Sequence, residues 1–310
     1  MVENSGMQSG GDPIPDVPQR SSLLIRMHPV AFILFSLGLT FLLYQVVGGV
    51  AAWFLIQGRV TEENVQIARV TTLGGQLLLL LIPTVLLARA RHRNEPGFFR
   101  FGVPDYRQIL ATVTGVFALQ QVLQGYLVLQ NALPLPDLLR DILDKLEQEI
   151  ETAYRLLVAS YSFPEFLFVI VVVALVPAIT EELLFRGLVQ GNLERAFGGM
   201  RAAVVTGIVF GAYHLSPFTL VPLIVLGVYF GFIVYKSQNL VVAISAHFFN
   251  NFLACTAAYM QLDEDFVAIA PSGGTSSGLI IANSLLFLLI FAASMVFFIR
   301  TAESRPDASP

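Results

Sequence analysis

A single cysteine in 310 residues, Cys255, excludes an intrachain disulfide, so the fold has to be held by packing and hydrogen bonding. Cys255 itself reads as a small buried hydrophobe. Charge is scarce as well: 13% of the residues are charged, against roughly a quarter in a soluble domain. The net charge of −4 provides no basic footprint for a nucleic acid. No repeat at a fixed period and no pair of broken helices is visible, which argues against a proton-coupled transporter using buried acids as a relay. The chain also lacks H-E-x-x-H, the usual local signature of a zinc hydrolase. What it has instead is 55% hydrophobic residues, with several windows longer than the ~20 apolar residues that cross a hydrocarbon core. The expected class is an all-α, polytopic membrane protein.

Residues 1–20 are rich in Gly, Pro, Ser and Asp and are expected to be a disordered tail. One transmembrane domain is expected over 21–300, then a polar tail at 301–310. Spans are expected at about Val30–Ile56, Val70–Leu87, Ile109–Leu129, Phe163–Leu193, Ala202–Leu215, Leu220–Tyr235, Leu240–Tyr259 and Leu279–Ile299. After the third, Leu138, Leu139, Ile142, Leu143, Leu146 and Ile150 recur at helical spacing against Asp141, Asp144, Glu147 and Glu151. That pattern predicts an amphipathic helix over Asp137–Leu157, beside the membrane or over the bundle. With eight crossings, Arg26, the cluster from Arg89 to Arg107, Arg195, Arg201, Lys236 and Arg300 fall on one side and the acidic loops on the other. The positive-inside rule makes the basic side cytoplasmic, with both termini there.

The fourth span carries two adjacent carboxylates, Glu181 and Glu182, followed by Arg186. An ionisable residue inside a span marks a functional site by default, because its desolvation must be offset by partners or a wet cavity. Glu182 and Arg186 are four apart and can pair on one helix face, while Glu181 points about 100° away and is left for chemistry. The competing structural reading is an interfacial charge cluster where the helix leaves the lipid. His214 ends the fifth span, and His247 and Asn251 share a face of the seventh. At 1.5 Å per residue, Glu181 and His214 lie roughly 18 Å, and His247 about 12 Å, from the same side, so they can meet in one cavity. A carboxylate with a histidine can hold and deprotonate water, and a histidine with an amide can stabilise an oxyanion. Together they describe amide-bond hydrolysis. Glu181, His214 and His247 could instead hold Zn²⁺ with a bound water.

Glu181-Glu182-x-x-x-Arg186, Phe210-x-x-x-His214 and His247-x-x-x-Asn251, in that order on hydrophobic spans, resemble the three motifs of the CPBP intramembrane protease family. The resemblance covers about residues 163–258. That family contains the type II CaaX prenyl endopeptidases and the bacterial Abi proteins linked to bacteriocin processing and self-immunity. It implies an eight-helix fold with a conical cavity open toward the cytoplasm and lipid, in a bacterial cytoplasmic membrane. It also implies roles: Glu181 and His214 activate water, His247 and Asn251 form the oxyanion hole, and Glu182 with Arg186 braces the site, Phe210 packing beside them. The implied partner is a membrane-associated peptide or protein. Such proteins are often described as metalloproteases, whereas the resemblance points more to glutamate-dependent hydrolysis without a metal. A non-catalytic regulator or self-immunity protein on the same scaffold is the alternative.

Elsewhere, His28 and His92 sit in basic flanks and read as solvated anchors, and Glu62, Glu63 and Asp263-Glu264-Asp265 as solvated loop charge. Tyr213, Ser245 and Asn250 are candidates to support the site from behind.

Overall fold

The computed structural model describes residues 23–93, 95–132, 134, 136–262 and 277–303. No strand occurs among them. After a single turn, Leu23–Arg26, the helices are α1 Pro29–Leu55, α2 Val65–Arg91 and α3 Tyr106–Asn131, then α4 Asp137–Val158 and α5 Phe163–Phe197. They are followed by α6 Gly199–Tyr213, α7 Leu220–Ser237 and α8 Leu240–Tyr259, and by α9 Ser277–Glu303. The expected spans are all present within a few residues. Seven of the helices are long and apolar enough to cross a membrane. The expected fifth span, α6, is shorter: its 15 residues cover about 22 Å against ~30 Å of hydrocarbon. The chain then turns back through Leu215, whose φ is 54°. α9 continues through Glu303, into the stretch expected to be a tail; 1–22, 263–276 and 304–310, with the Asp263-Glu264-Asp265 run, lie outside the described residues.

Contacts at the helix ends define the two sides. On one, Arg91 Nη1 donates to the carbonyls of Leu24 and Met27 at 2.6 and 3.1 Å, and its Nε to Asn192 Oδ1 at 3.0 Å. There too Arg100 pairs with Glu194 at 2.8 Å and its carbonyl accepts from Leu240 N at 3.1 Å. A cavity of about 420 Å³ opens there among Glu95, Phe98, Arg100, Glu194, Arg195 and Gln238. Each of its arginines is already neutralised by a glutamate. On the other side, Gln130 Nε2 donates to Phe218 O at 3.1 Å, and Arg69 binds the end of α4. That guanidinium is 1% exposed and pairs with Glu165 at 2.6 Å. It also donates to the carbonyls of Leu156 and Leu157, both at 3.0 Å, and of Ala159. These are the C-terminal carbonyls of α4 that no helical N–H can reach. α4 thereby lies at one end of the bundle against α2 and α8, with Leu138, Ile142, Leu146, Ile150 and Tyr154 on an exposed apolar stripe, as its periodicity predicts.

α6 and α7 pack against each other by small residues. Gly207 on α6 faces Gly227 on α7, Gly211 lies against Leu220 and Ile224, and Gly231 against Ala203; a Cβ on Gly207 would run into the backbone of Val228 and Gly227. Two small-xxx-small patterns thus let the backbones touch, which is how helices associate where no hydrophobic force separates protein from lipid.

Among the described residues four π-helical stretches interrupt the helices: Leu42–Gly48, Gly75–Leu81, Ile170–Leu175 and Leu183–Gln190. Two precede prolines inside spans, Pro83 and Pro177, residues that remove a donor and crowd the carbonyl four back. For Pro177 that carbonyl is Val173, and it accepts instead from Asn251 Nδ2 on α8 at 3.1 Å.

His28 is exposed, as expected, and its Nδ1 accepts from Val30 N at 3.3 Å to cap α1. His92 is a correction. It is buried, 7% exposed, and stacked on Phe98 with centroids 3.6 Å apart; burial pushes its pKa below the ordinary value. The basic flank drew the expectation of solvent, but Phe98 and Phe99 fold this loop onto Gly191 and Gly187 of α5.

Candidate active site

Glu181, His214 and His247 come from α5, the end of α6 and the second turn of α8, and they converge. Oε2 of Glu181 lies 3.7 Å from His214 Nε2 and 3.9 Å from His247 Nε2. The shortness of α6 makes this possible: its last turn stops inside the bundle, so the residue after it faces the centre rather than a headgroup. Side-chain exposures of 31% for His214, 14% for Glu181 and 6% for His247 show that the cluster opens on the His214 side.

The other ring nitrogens are committed. His214 Nδ1 is 2.7 Å from Phe210 O, and a carbonyl can only accept, so Nδ1 carries the proton and Nε2 presents a lone pair toward Glu181. His247 Nδ1 is 2.8 Å from Glu182 Oε1, so Nδ1–H donates to that carboxylate and the orientation of the ring is fixed. The same oxygen accepts from Arg186 Nη1 at 2.8 Å. Glu182 and Arg186 are both fully buried, and Arg186 Nη2 donates to Gly227 O at 2.9 Å. One turn on, Gln190 Nε2 repeats the bond to Gly231 O at 2.9 Å. Bare glycine carbonyls on α7 thus receive α5, and the expected pairing of Glu182 with Arg186 is present.

Phe210 fills the space between these groups. Its ring centroid is 4.6 Å from that of His214 and 6.0 Å from that of His247, with the Arg186 guanidinium 4.5 Å from its centroid. Phe230 stacks on His247 at 5.3 Å and holds Arg186 from the other side at 5.3 Å. These are cation–π distances.

Asn251 stands one turn beyond His247. Among the described residues its hydrogen bonds go to Val173 O and, from Asn250 Nδ2 at 3.0 Å, to its own Oδ1, and none joins it to Glu181 or the imidazoles. Its second N–H is uncommitted. Asn250 supports it from behind, held by Gln120 Nε2 at 2.9 Å. Ser245 does not take part, because its hydroxyl donates to Val241 O in its own helix at 2.8 Å. Tyr213 contributes through its carbonyl, which accepts from Gln45 Nε2 at 3.0 Å.

Three residues of the site were not anticipated. Gln76 on α2 donates to Glu181 Oε1 at 3.3 Å and to the Tyr44 hydroxyl at 3.0 Å, while its Oε1 accepts from Thr180 Oγ1. The available signal was a glutamine and a tyrosine inside otherwise apolar runs, the pattern of residues that merely glue helices. Tyr44, Gln76, Val173 and Arg186 each lie in one of the four π-helical stretches, where wide turns redirect side chains and recur at functional sites.

Residues 163–253, which hold every motif residue named above, match the family model described as Type II CAAX prenyl endopeptidase Rce1-like. The chain carries an Rce1-like domain. A search of curated proteins and a search of solved structures each returned no match. The matched stretch is thus similar to type II CAAX prenyl endopeptidases, and it includes the closely packed α6–α7 hairpin. The donor set does not fit a metal as it stands. Among the described residues no three His, Cys, Asp or Glu groups could hold one, and the 3.7 and 3.9 Å separations around Glu181 Oε2 lie above the roughly 3.3–3.6 Å between tetrahedral ligands about 2.0–2.2 Å from zinc.

Proposed function

We propose that this chain is an intramembrane endopeptidase that hydrolyses a peptide bond of a membrane-associated peptide or protein near the cytoplasmic membrane face. The observation that carries the reading is the convergence of Glu181 Oε2 with two imidazole Nε2 atoms at 3.7 and 3.9 Å, inside the stretch that matches the Rce1-like model. The cytoplasmic placement rests on the side carrying Arg91, Arg100 and Arg195, by the positive-inside rule.

Glu181 and His214 hold a water between them. The carboxylate takes its proton as the hydroxide oxygen bonds the scissile carbonyl carbon, and the proton passes to the amide nitrogen as the C–N bond breaks. His214 Nε2 orients the water by accepting its other hydrogen. The oxyanion lies against His247 Nε2 and the free N–H of Asn251. To donate, His247 carries a proton on both nitrogens, an imidazolium whose charge is offset by Glu182. Glu182 therefore sets the ring's orientation, and Arg186 fixes Glu182.

The test is cleavage of an internally quenched, farnesylated C-a-a-X peptide by the purified chain in lipid nanodiscs. Glu181→Ala is expected to lower kcat by about 10²–10⁴-fold; turnover at the wild-type rate would overturn the assignment. The rate should be insensitive to chelation, and a chelator-abolished rate restored by zinc would reinstate the metal reading.

A further inference from the structure

The carboxylate proposed as the base has two oxygens, and something has to decide which of them faces the imidazoles. We propose that Gln76 is the positioning residue that does so, holding Glu181 Oε1 so that Oε2 is the atom presented to His214 and His247. This rests on the endopeptidase reading.

Gln76 is 3% exposed and Thr180 is fully buried, so neither can use solvent to satisfy its polar atoms. The partners of Gln76 on its two sides set which way round its amide sits. Thr180 Oγ1 has a hydrogen to give, and Gln76 Oε1 accepts it. That leaves the NH₂ on the other side, where one N–H goes to the Tyr44 hydroxyl at 3.0 Å and the other to Glu181 Oε1 at 3.3 Å. Rotating the amide by 180° would set Oε1 against a carboxylate oxygen, two acceptors with no hydrogen between them, and would leave the Thr180 hydroxyl only the Pro177 carbonyl at 3.4 Å as an acceptor. Every donor of Gln76 is used, and an unmade bond at this depth would cost the desolvation of the orphaned group. The network also links three helices: Tyr44 on α1, Gln76 on α2, and Thr180 and Glu181 adjacent on α5. Because Thr180 precedes Glu181 directly, the hydroxyl that orients Gln76 and the carboxylate that Gln76 orients move as one unit.

Gln76→Leu keeps the volume and removes both functions. Thr180→Val removes only the hydroxyl and frees the amide to rotate, while Thr180→Ser keeps it. With the farnesylated peptide in nanodiscs, Gln76→Leu is expected to lower kcat about 10–100-fold, the scale of a misplaced reacting group, with KM within about twofold. Thr180→Val should lower kcat several-fold and Thr180→Ser should recover most of it. The serine and valine pair decides the matter even if Gln76→Leu does not fold. Wild-type kcat in both Gln76→Leu and Thr180→Val, a loss in KM alone, or equal losses in Thr180→Val and Thr180→Ser would overturn the proposal. Failure of the endopeptidase reading looks different: the wild-type chain leaves the peptide intact, or Glu181→Ala cleaves it as fast as the wild type.

Discussion

Arg69–Glu165 and Arg186–Glu182 are two pairs in which the guanidinium is buried, and they are finished differently. At the end of α4, Arg69 meets Glu165 at 2.6 Å, and Nε and both Nη atoms of Arg69 have partners. Glu165 is equally complete, accepting from Tyr161 N at 3.0 Å and Gln66 Nε2 at 2.9 Å as well. Beside the site, Arg186 meets Glu182 at 2.8 Å, yet Arg186 Nε and Glu182 Oε2 are buried without a hydrogen-bond partner among the described residues. The oxygen that is used is shared with an imidazole. A saturated pair fastens a helix end. An unsaturated one keeps charge available to a third group, at the expense of buried polar atoms left unmatched.

Breaking the site pair should have the largest effect. Removing one partner of a buried ion pair leaves an uncompensated charge and costs about 3–5 kcal/mol, whereas replacing both with apolar side chains is often near neutral. Arg186→Leu should therefore lose both stability in detergent and cleavage. Glu182→Leu combined with Arg186→Leu should regain most of the stability and none of the cleavage, because His247 Nδ1 has lost its acceptor. Activity in that double variant would mean that the pair only packs.

The clamp should respond in the opposite sense. Arg69→Leu orphans the last carbonyls of α4 and one side of Glu165, but Glu165 is 21% exposed and can recruit water, so the expected cost is about 1–3 kcal/mol. Measured as kcat per folded molecule on the farnesylated peptide, the rate should stay within about twofold of wild type. A large fall in kcat without loss of stability would show that the two pairs are coupled along α2, which also carries Gln76.

The contrast also explains what could be read from the chain before its structure. Helix positions followed from apolar runs, because lipid accepts little else. Glu181, His214 and His247 stood out because imidazoles and carboxylates are rare in such runs. The helix periodicity that paired Glu182 with Arg186 also separated Glu181 from them, and both relations are present. Gln76 was hidden for a physical reason: its role depends on Glu181, 105 positions away, and on a π-helical turn that no local spacing announces. His92 was misjudged because its neighbours in sequence are arginines while its neighbour in space is the ring of Phe98. The Asn251 bond to Val173 was derivable in half: Pro177 predicts a freed carbonyl, but not which helix takes it up.

A third pair, Glu95 with Arg195, marks the exposed limit of the comparison and should give the smallest effect. The Arg195 guanidinium beside Glu95 holds its carboxyl down at about 2 rather than the ordinary 4.5. A carboxyl depressed in the folded state contributes stability that is fully present above its unfolded value and is lost as pH falls through the folded one. Any contribution should therefore be constant above about pH 4.5 and disappear between there and about pH 2. The two side chains are 50% and 40% exposed, so solvent screens the interaction and the expected size is that of a surface pair, about 0–1 kcal/mol. The check is the difference in melting temperature between wild type and Glu95→Gln, followed from pH 6 to pH 3. That difference should be small at pH 6 and shrink as the pH drops. A difference as large as that of Arg69→Leu, or one that grows toward acid, would mean that the loop folded over α5 by Phe98 and Phe99 depends on this contact after all, and that exposure does not rank the pairs.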